Sequence, residues 1–237
     1  MYALVAYIFA IVLKEVLQTF TAASVIATFG SESVVTGLYF GLQTSFFEVG
    51  LAFAVAWYFA SQKRLFGKDA EAYGLGLSFA ENGLLLGVLP LINLIAYYSV
   101  LSSNTTLAST LYAQLLSGQP SLFYSTSRAL PLVGFGILER VSSLLIHFSW
   151  GYLAVISAFY RKRRYFLLAF PMGLVDALVP FAPALGLGKF EAVIFGISVI
   201  ALVATIVSTR NLVRTGSPKN PPSSQVSDGT DATLKLS

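Results

Sequence analysis

Apolar residues fill this chain in long unbroken blocks, without the spacing of a half-buried helix or the alternation of a strand. Six blocks stand out, at about Tyr2–Ala27, Val34–Ala60, Tyr73–Tyr98, Pro131–Tyr160, Tyr165–Pro183 and Phe190–Thr209. A membrane-crossing helix needs roughly 20 mainly apolar residues, and each block reaches about that length. The pattern predicts an all-α membrane protein, a polytopic bundle of about six transmembrane helices over residues 1–214. A disordered C-terminal tail over 215–237, rich in Gly, Ser, Pro and Asp, should follow it. No basic segment precedes the first block and no small-residue cleavage site follows a short core, so it reads as a span.

The polar links orient the bundle. Lys63, Arg64 and Lys68 follow the second block, and Arg161, Lys162, Arg163 and Arg164 follow the fourth. Arg210, Arg214, Lys219 and Lys235 follow the sixth, whereas the opposite links hold only Arg128 and Lys189. Lys and Arg mark cytoplasmic loops, which puts both termini inside. The one long outer link, Ser102–Leu130, contains Leu107–Leu116, which reads equally as a short interfacial helix or an ordered loop. Its Asn104-Thr105-Thr106 sequon matters only in a secretory-pathway cell. The expected location is the plasma membrane of a prokaryote, with the lipid bilayer as surroundings and a transmembrane substrate or partner helix as the expected partner.

Composition narrows the chemistry. Charged residues make up 11% of the 237 positions and mean hydropathy is +0.74, against about 25% charged in a soluble domain. That excludes a disordered protein, a nucleic-acid binder and an ordinary cytosolic enzyme. The net charge of +4 comes from the loop clusters and needs no polyanionic partner. With no cysteine there is no disulfide, thiolate ligand or thiol nucleophile, and one histidine limits any metal site to one imidazole per chain.

Ionisable residues inside the blocks carry most of the remaining information. A charge at mid-membrane costs about 2.5–3.5 kcal/mol on insertion scales and is a functional candidate by default. Glu15, Glu48, Glu81, Glu139 and Asp176 face only Lys14 and Arg140 as permanent bases, and His147 joins them. The excess of acid must be relieved by protonation, water or a bound cation. Glu48, His147, Asp176, Lys14 and Glu15 fall near mid-span. Glu81 lies about 12 Å from the inner end of its block and Glu139 about 12 Å from the outer end of its own. Glu139 and His147 differ by roughly 80° around one helix, so both can face one interior. Lys14 and Glu15 are adjacent and do not face each other, so Lys14 is expected to be the counter-ion of an acid on another helix. Glu139-Arg140 also reads as a structural ion pair with other helices. Asp176 sits between Pro171 and Pro180, where a kinked helix frees carbonyls to line a cavity. The patterns Gly37-x-x-x-Gly41, Gly76-x-x-x-Ala80 and Gly83-x-x-x-Gly87 read as ordinary close packing.

These residues carry a resemblance. Glu139-Arg140-x6-His147, then Phe148-Ser149-Trp150-Gly151 and the basic link Arg161–Arg164 with Tyr165-Phe166, are similar to the YhfC family of intramembrane peptidases. The segment also resembles the Aph subunit of gamma-secretase and, more distantly, PrsW-type and CPBP-type (Abi) membrane proteases. Gly76-Leu77-Ser78-Phe79, Ile92-Asn93 and Phe47-Glu48-Val49 agree in order and spacing. The resemblance implies an intramembrane endopeptidase in which Glu48 or Glu81 activates water and His147 polarises the scissile carbonyl. Glu139 and Asp176 would orient them. A metal-dependent version would use His147, Glu48 and Asp176, with zinc as the candidate cofactor.

Three departures bear on activity. The family pattern has a second Glu and then a basic residue where this chain has Val49 and Ala52, and a second His where it has Met172. A thioether cannot act as a general base and is a poor zinc ligand. A catalytically degenerate, Aph-like scaffold that grips a partner therefore stands beside the peptidase reading. A transporter or proton relay ranks below both, because no inverted repeat is present.

Overall fold

The computed structural model describes residues 1–103 and 105–215. Asn104 of the sequon and the expected tail beyond Thr215 lie outside the described residues. Those residues are helical with no strand, and six of the helices are long and apolar enough to cross a membrane. In chain order they are α1 (Tyr2–Phe29), α2 (Val34–Ser61), α3 (Gly67–Leu101), the short α4 (Thr106–Gly118), α5 (Thr126–Tyr160), α6 (Arg163–Leu185) and α7 (Leu187–Thr215). The chain is an integral multi-pass membrane protein.

Helix ends follow local chemistry. The Thr105 hydroxyl accepts the N–H of Ala108 at 3.3 Å and starts α4, so the stretch that reads equally as helix or loop is a helix. α3 begins at Gly67, before the expected Tyr73, because the Asp69 carboxylate accepts the N–H of Phe66 at 2.8 Å. α5 begins at Thr126 and carries Pro131 inside it. Gly186, at φ +77°, turns the chain so tightly that α7 begins at Leu187, before the expected Phe190.

Inside a bilayer, lipid tails are as apolar as leucine, so close packing and polar contacts hold helices together. α5 is the central helix, packed on the inner half of α3, on α7 and on the second half of α2. Trp150, Leu153 and Ala154 on α5 are fully buried. α3 and α5 meet almost backbone to backbone, since a methyl on Gly151 would sit 2.9 Å from Gly74 Cα. On α1 the buried side chains are Ala3, Ala6, Tyr7 and Ala10. On the second helix Gly37, Gly41 and Ser45, spaced four apart, face Gly173, Ala177 and Phe181 of α6.

Three of the helices depart from α-winding in mid-membrane. α2 widens to π-helical winding over Thr44–Val49, and α3 does so over Ala80–Val88. α6 tightens to 3₁₀ winding over Phe170–Phe181, with Pro171 at its start and Pro180 inside. The expected kink around Asp176 is thus a long tightened segment. π-segments often accompany functional sites, and 3₁₀ runs longer than 3–4 residues are uncommon. Each of these three segments carries one of the intramembrane acids.

Candidate active site

Glu48 sits on the π-segment of α2, Glu81 on that of α3, and Asp176 on the 3₁₀-segment of α6. His147 projects from regular α5 and Lys14 from α1. All five line one cavity of about 280 Å³, together with Glu139, Arg140 and Glu191. Glu15 alone of the expected residues is elsewhere, on an exposed face of α1.

The contacts form one continuous polar chain. Glu81 Oε2 lies 2.5 Å from His147 Nε2, and Glu48 Oε2 lies 3.2 Å from the same nitrogen. The other Glu48 oxygen receives the Lys14 ammonium at 2.7 Å, and that ammonium reaches Asp176 Oδ2 at 3.2 Å. Thr44 Oγ1 accepts from Lys14 at 2.7 Å and donates to Asp176 at 2.5 Å. Behind Glu81 the Ser143 hydroxyl donates to Oε2 at 3.1 Å, and Asn82 Nδ2 donates to that hydroxyl oxygen at 3.1 Å. Arg140 closes the chain on Asn82 Oδ1 at 3.3 Å. Five helices therefore meet through side chains that none could carry alone at this depth.

The imidazole is held on every side. Its Nδ1–H donates to the Ser143 carbonyl at 2.9 Å, because a carbonyl oxygen can only accept. The ring packs on Trp150 at 4.1 Å and meets the edge of Tyr7. With Nδ1 committed, a carboxylate 2.5 Å from Nε2 requires one proton between them. His147 Nε2 and Glu81 Oε2 therefore share that proton. Glu48 has both oxygens engaged, whereas Glu81 is bonded through Oε2 and Asp176 through Oδ2, with no hydrogen bond to Glu81 Oε1 or Asp176 Oδ1 among the described residues.

Backbone contact sets the place of Asp176. A methyl on Gly173 would lie 2.6 Å from Ser45 Cα and 2.7 Å from Ser45 N. In a 3₁₀ helix residues i and i+3 eclipse, so this approach at Gly173 swings Asp176 against Thr44.

Glu139 pairs with its neighbour Arg140 rather than with another helix. Both line the outer part of the cavity, and Glu139 is half exposed. The residues that replace the family pattern face the core: Val49 and Ala52 are fully buried, Ala52 O accepts the Tyr73 hydroxyl at 2.8 Å, and Met172 is buried.

A metal centre does not fit this arrangement. Among the described residues no three His, Cys, Asp or Glu side chains are placed so that together they could hold a metal ion. The expected trio of His147, Glu48 and Asp176 is divided by Lys14, whose ammonium already bridges Glu48 and Asp176. A cation held by those two carboxylates would meet a fixed positive charge.

Several partners escape a reading of the sequence. Thr44 and Ser143 are ordinary polar residues in an apolar run, and nothing in their spacing marks them. Glu191 is buried, and its Oε2 has no hydrogen-bond partner among the described residues. It stands at the edge of the sixth block, where a charge ordinarily meets water; its adjacency to Phe190 is the available signal. Gln43, buried beside Gln18 at 2.9 Å, is a neutral amide and carries no charge to mark it.

Among known proteins, the family described as YhfC intramembrane metalloprotease matches residues 1–207. No curated protein and no solved structure matches the chain.

Proposed function

This chain belongs to the YhfC intramembrane metalloprotease family, and from that premise we propose that it is an intramembrane endopeptidase whose hydrolytic groups are Glu81, His147 and Glu48. One observation carries the reading: two acids and the sole histidine, from α2, α3 and α5, meet within 2.5–3.2 Å in a cavity at membrane depth. Residues this costly to bury seldom converge without a task.

The chemistry follows from which atoms are free. Glu81 Oε1 takes a proton from a water molecule as that water attacks the scissile carbonyl carbon. The shared proton at His147 Nε2 passes to the departing amide nitrogen as the C–N bond breaks, leaving a carboxylic acid and an amine. The Ser143 carbonyl on Nδ1 holds the imidazole in place, and Glu48, beside Nε2, balances its charge. Lys14 bridges Glu48 and Asp176 and sets a fixed positive charge in the cavity wall. No step here needs the metal of the family's description, which the residues present do not accommodate.

A scaffold reading has one specific support. The positions of the family's second Glu and basic residue are closed by Val49 and Ala52, both fully buried. Purified protein in detergent, given a fluorogenic transmembrane substrate, separates the two. Glu81→Gln and His147→Ala should each lower cleavage by at least about 100-fold, the scale of a lost general acid or base, with unfolding temperatures near the parent's. Cleavage unchanged in both variants refutes the catalytic assignment. No cleavage by the parent across several substrates favours the scaffold.

A further inference from the structure

A second hollow, of about 260 Å³, opens between α1 and α3. Leu4, Ile8, Val12, Leu84 and Leu89 line it, and its walls carry no charged group. It shares Tyr7, Ile11 and Leu85 with the polar cavity, so the two hollows are separated by those three side chains.

Above it the outer half of α3, residues 89–101, stands away from the bundle. Its main packing is on the adjoining segment Ala80–Val88 of its own helix and on α4. Leu91, Ile92, Leu94 and Ile95 are each more than half exposed. A helix packed on one side buries a stripe; exposure at such closely spaced positions means that no broad face is covered. The wide π-segment Ala80–Val88 lies where the packed and unpacked halves join.

The other wall carries Glu15. It follows Ile8 by seven residues and Ile11 by four, which places it on the same face of α1, one turn farther out. Its side chain is exposed, and no described residue gives its carboxylate a hydrogen bond or ion pair. Lys14 next to it points about 100° away around the helix and is taken by Glu48 and Asp176. A lone carboxylate at mid-membrane needs a partner, and this one overlooks an apolar slot with an open side.

We infer that the slot between α1 and the outer half of α3 is the docking site for a single transmembrane helix that carries a lysine or arginine at mid-span. The apolar walls take the body of that helix, Glu15 takes its cation, and the path past Tyr7, Ile11 and Leu85 brings its backbone to Glu81 and His147. Cleavage of the docked helix rests on the peptidase reading; docking itself does not.

The chain has no cysteine, so single cysteines report position cleanly. Ile8→Cys and Leu89→Cys place a thiol in the slot, at positions 52% and 50% exposed, and Val203→Cys on α7, also 52% exposed, is the control. The probe is a synthetic Leu-Ala helix of about 22 residues with one cysteine and a lysine at its midpoint; its twin has leucine there. In bilayers, with Glu81→Gln to prevent cleavage, disulfide capture should occur at both slot cysteines and not at Val203→Cys. The lysine probe should be captured about tenfold better than its twin, the scale of a polar interhelical contact in a membrane, and Glu15→Gln should remove that preference. Equal capture at Val203→Cys, or equal capture of the two probes by protein that retains Glu15, overturns the inference. Capture in the slot without cleavage by the parent leaves the docking site standing and sinks the peptidase reading. Cleavage without slot capture does the reverse.

Discussion

Removing the Lys14 charge is the sharpest test of the site's electrostatics. In Lys14→Met the methionine fills similar space, but Glu48 loses an ammonium at 2.7 Å and Asp176 loses one at 3.2 Å. Glu48 is 6% exposed and Asp176 34%, so nearly all of the cost falls on Glu48. Breaking a buried ion pair from one side costs about 3–5 kcal/mol, and the partly exposed Asp176 adds little. We therefore expect about 3 kcal/mol of destabilisation, measured by denaturing-detergent titration of the purified protein in mixed micelles. Glu48→Gln works in the opposite direction. It moves an acid-rich cluster toward neutrality and leaves Lys14 with Asp176 and Thr44, so it should cost only about 1–2 kcal/mol. The double variant restores the charge balance of the parent. It should be more stable than the sum of the single changes implies by at least about 1.5 kcal/mol, well beyond the 0.3–0.5 kcal/mol expected of independent sites. Additivity within that margin would mean that Lys14 is not the counter-ion of Glu48.

The same geometry yields two further expectations. Gly173→Ala should destabilise by about 1–3 kcal/mol, as overpacking does; adding Ser45→Gly should not rescue it, because the clash includes Ser45 Cα and N, which glycine retains, and full rescue would refute the close approach. Dialysis against metal chelators should leave the unfolding temperature unchanged and purified protein should carry zinc well below one per chain; stoichiometric zinc would refute the argument from Lys14 and the ligand geometry.

Much of the architecture was legible in one dimension because the membrane makes it so. Backbone groups cannot stay unpaired in lipid, so long apolar blocks must be helices, and their number can be read directly. The residues in the wrong solvent were equally visible. Lys14, Glu48, Glu81, Glu139, Arg140, His147 and Asp176, each singled out by its charge or histidine in an apolar run, all line one cavity. Glu15 carries the same signal and faces outward, because charge says that a residue needs a partner and not on which side that partner lies. Thr44, Ser143 and Asn82 bind the site together, yet threonine, serine and asparagine in a helix usually bond only to their own backbone, so their type reveals nothing.

The sequence alone determined that the chain is a six-helix membrane bundle and which side chains could not be left in lipid. Only the tertiary structure decided who meets whom, for a physical reason. The contacts depend on helix winding and on how closely backbones approach, and residue type alone fixes neither. Two π-segments carry Glu48 and Glu81, which meet His147, and a 3₁₀-segment with glycine at position 173 brings Asp176 to Thr44. Lys14 then takes the space between Glu48 and Asp176 where the sequence allowed a metal ion.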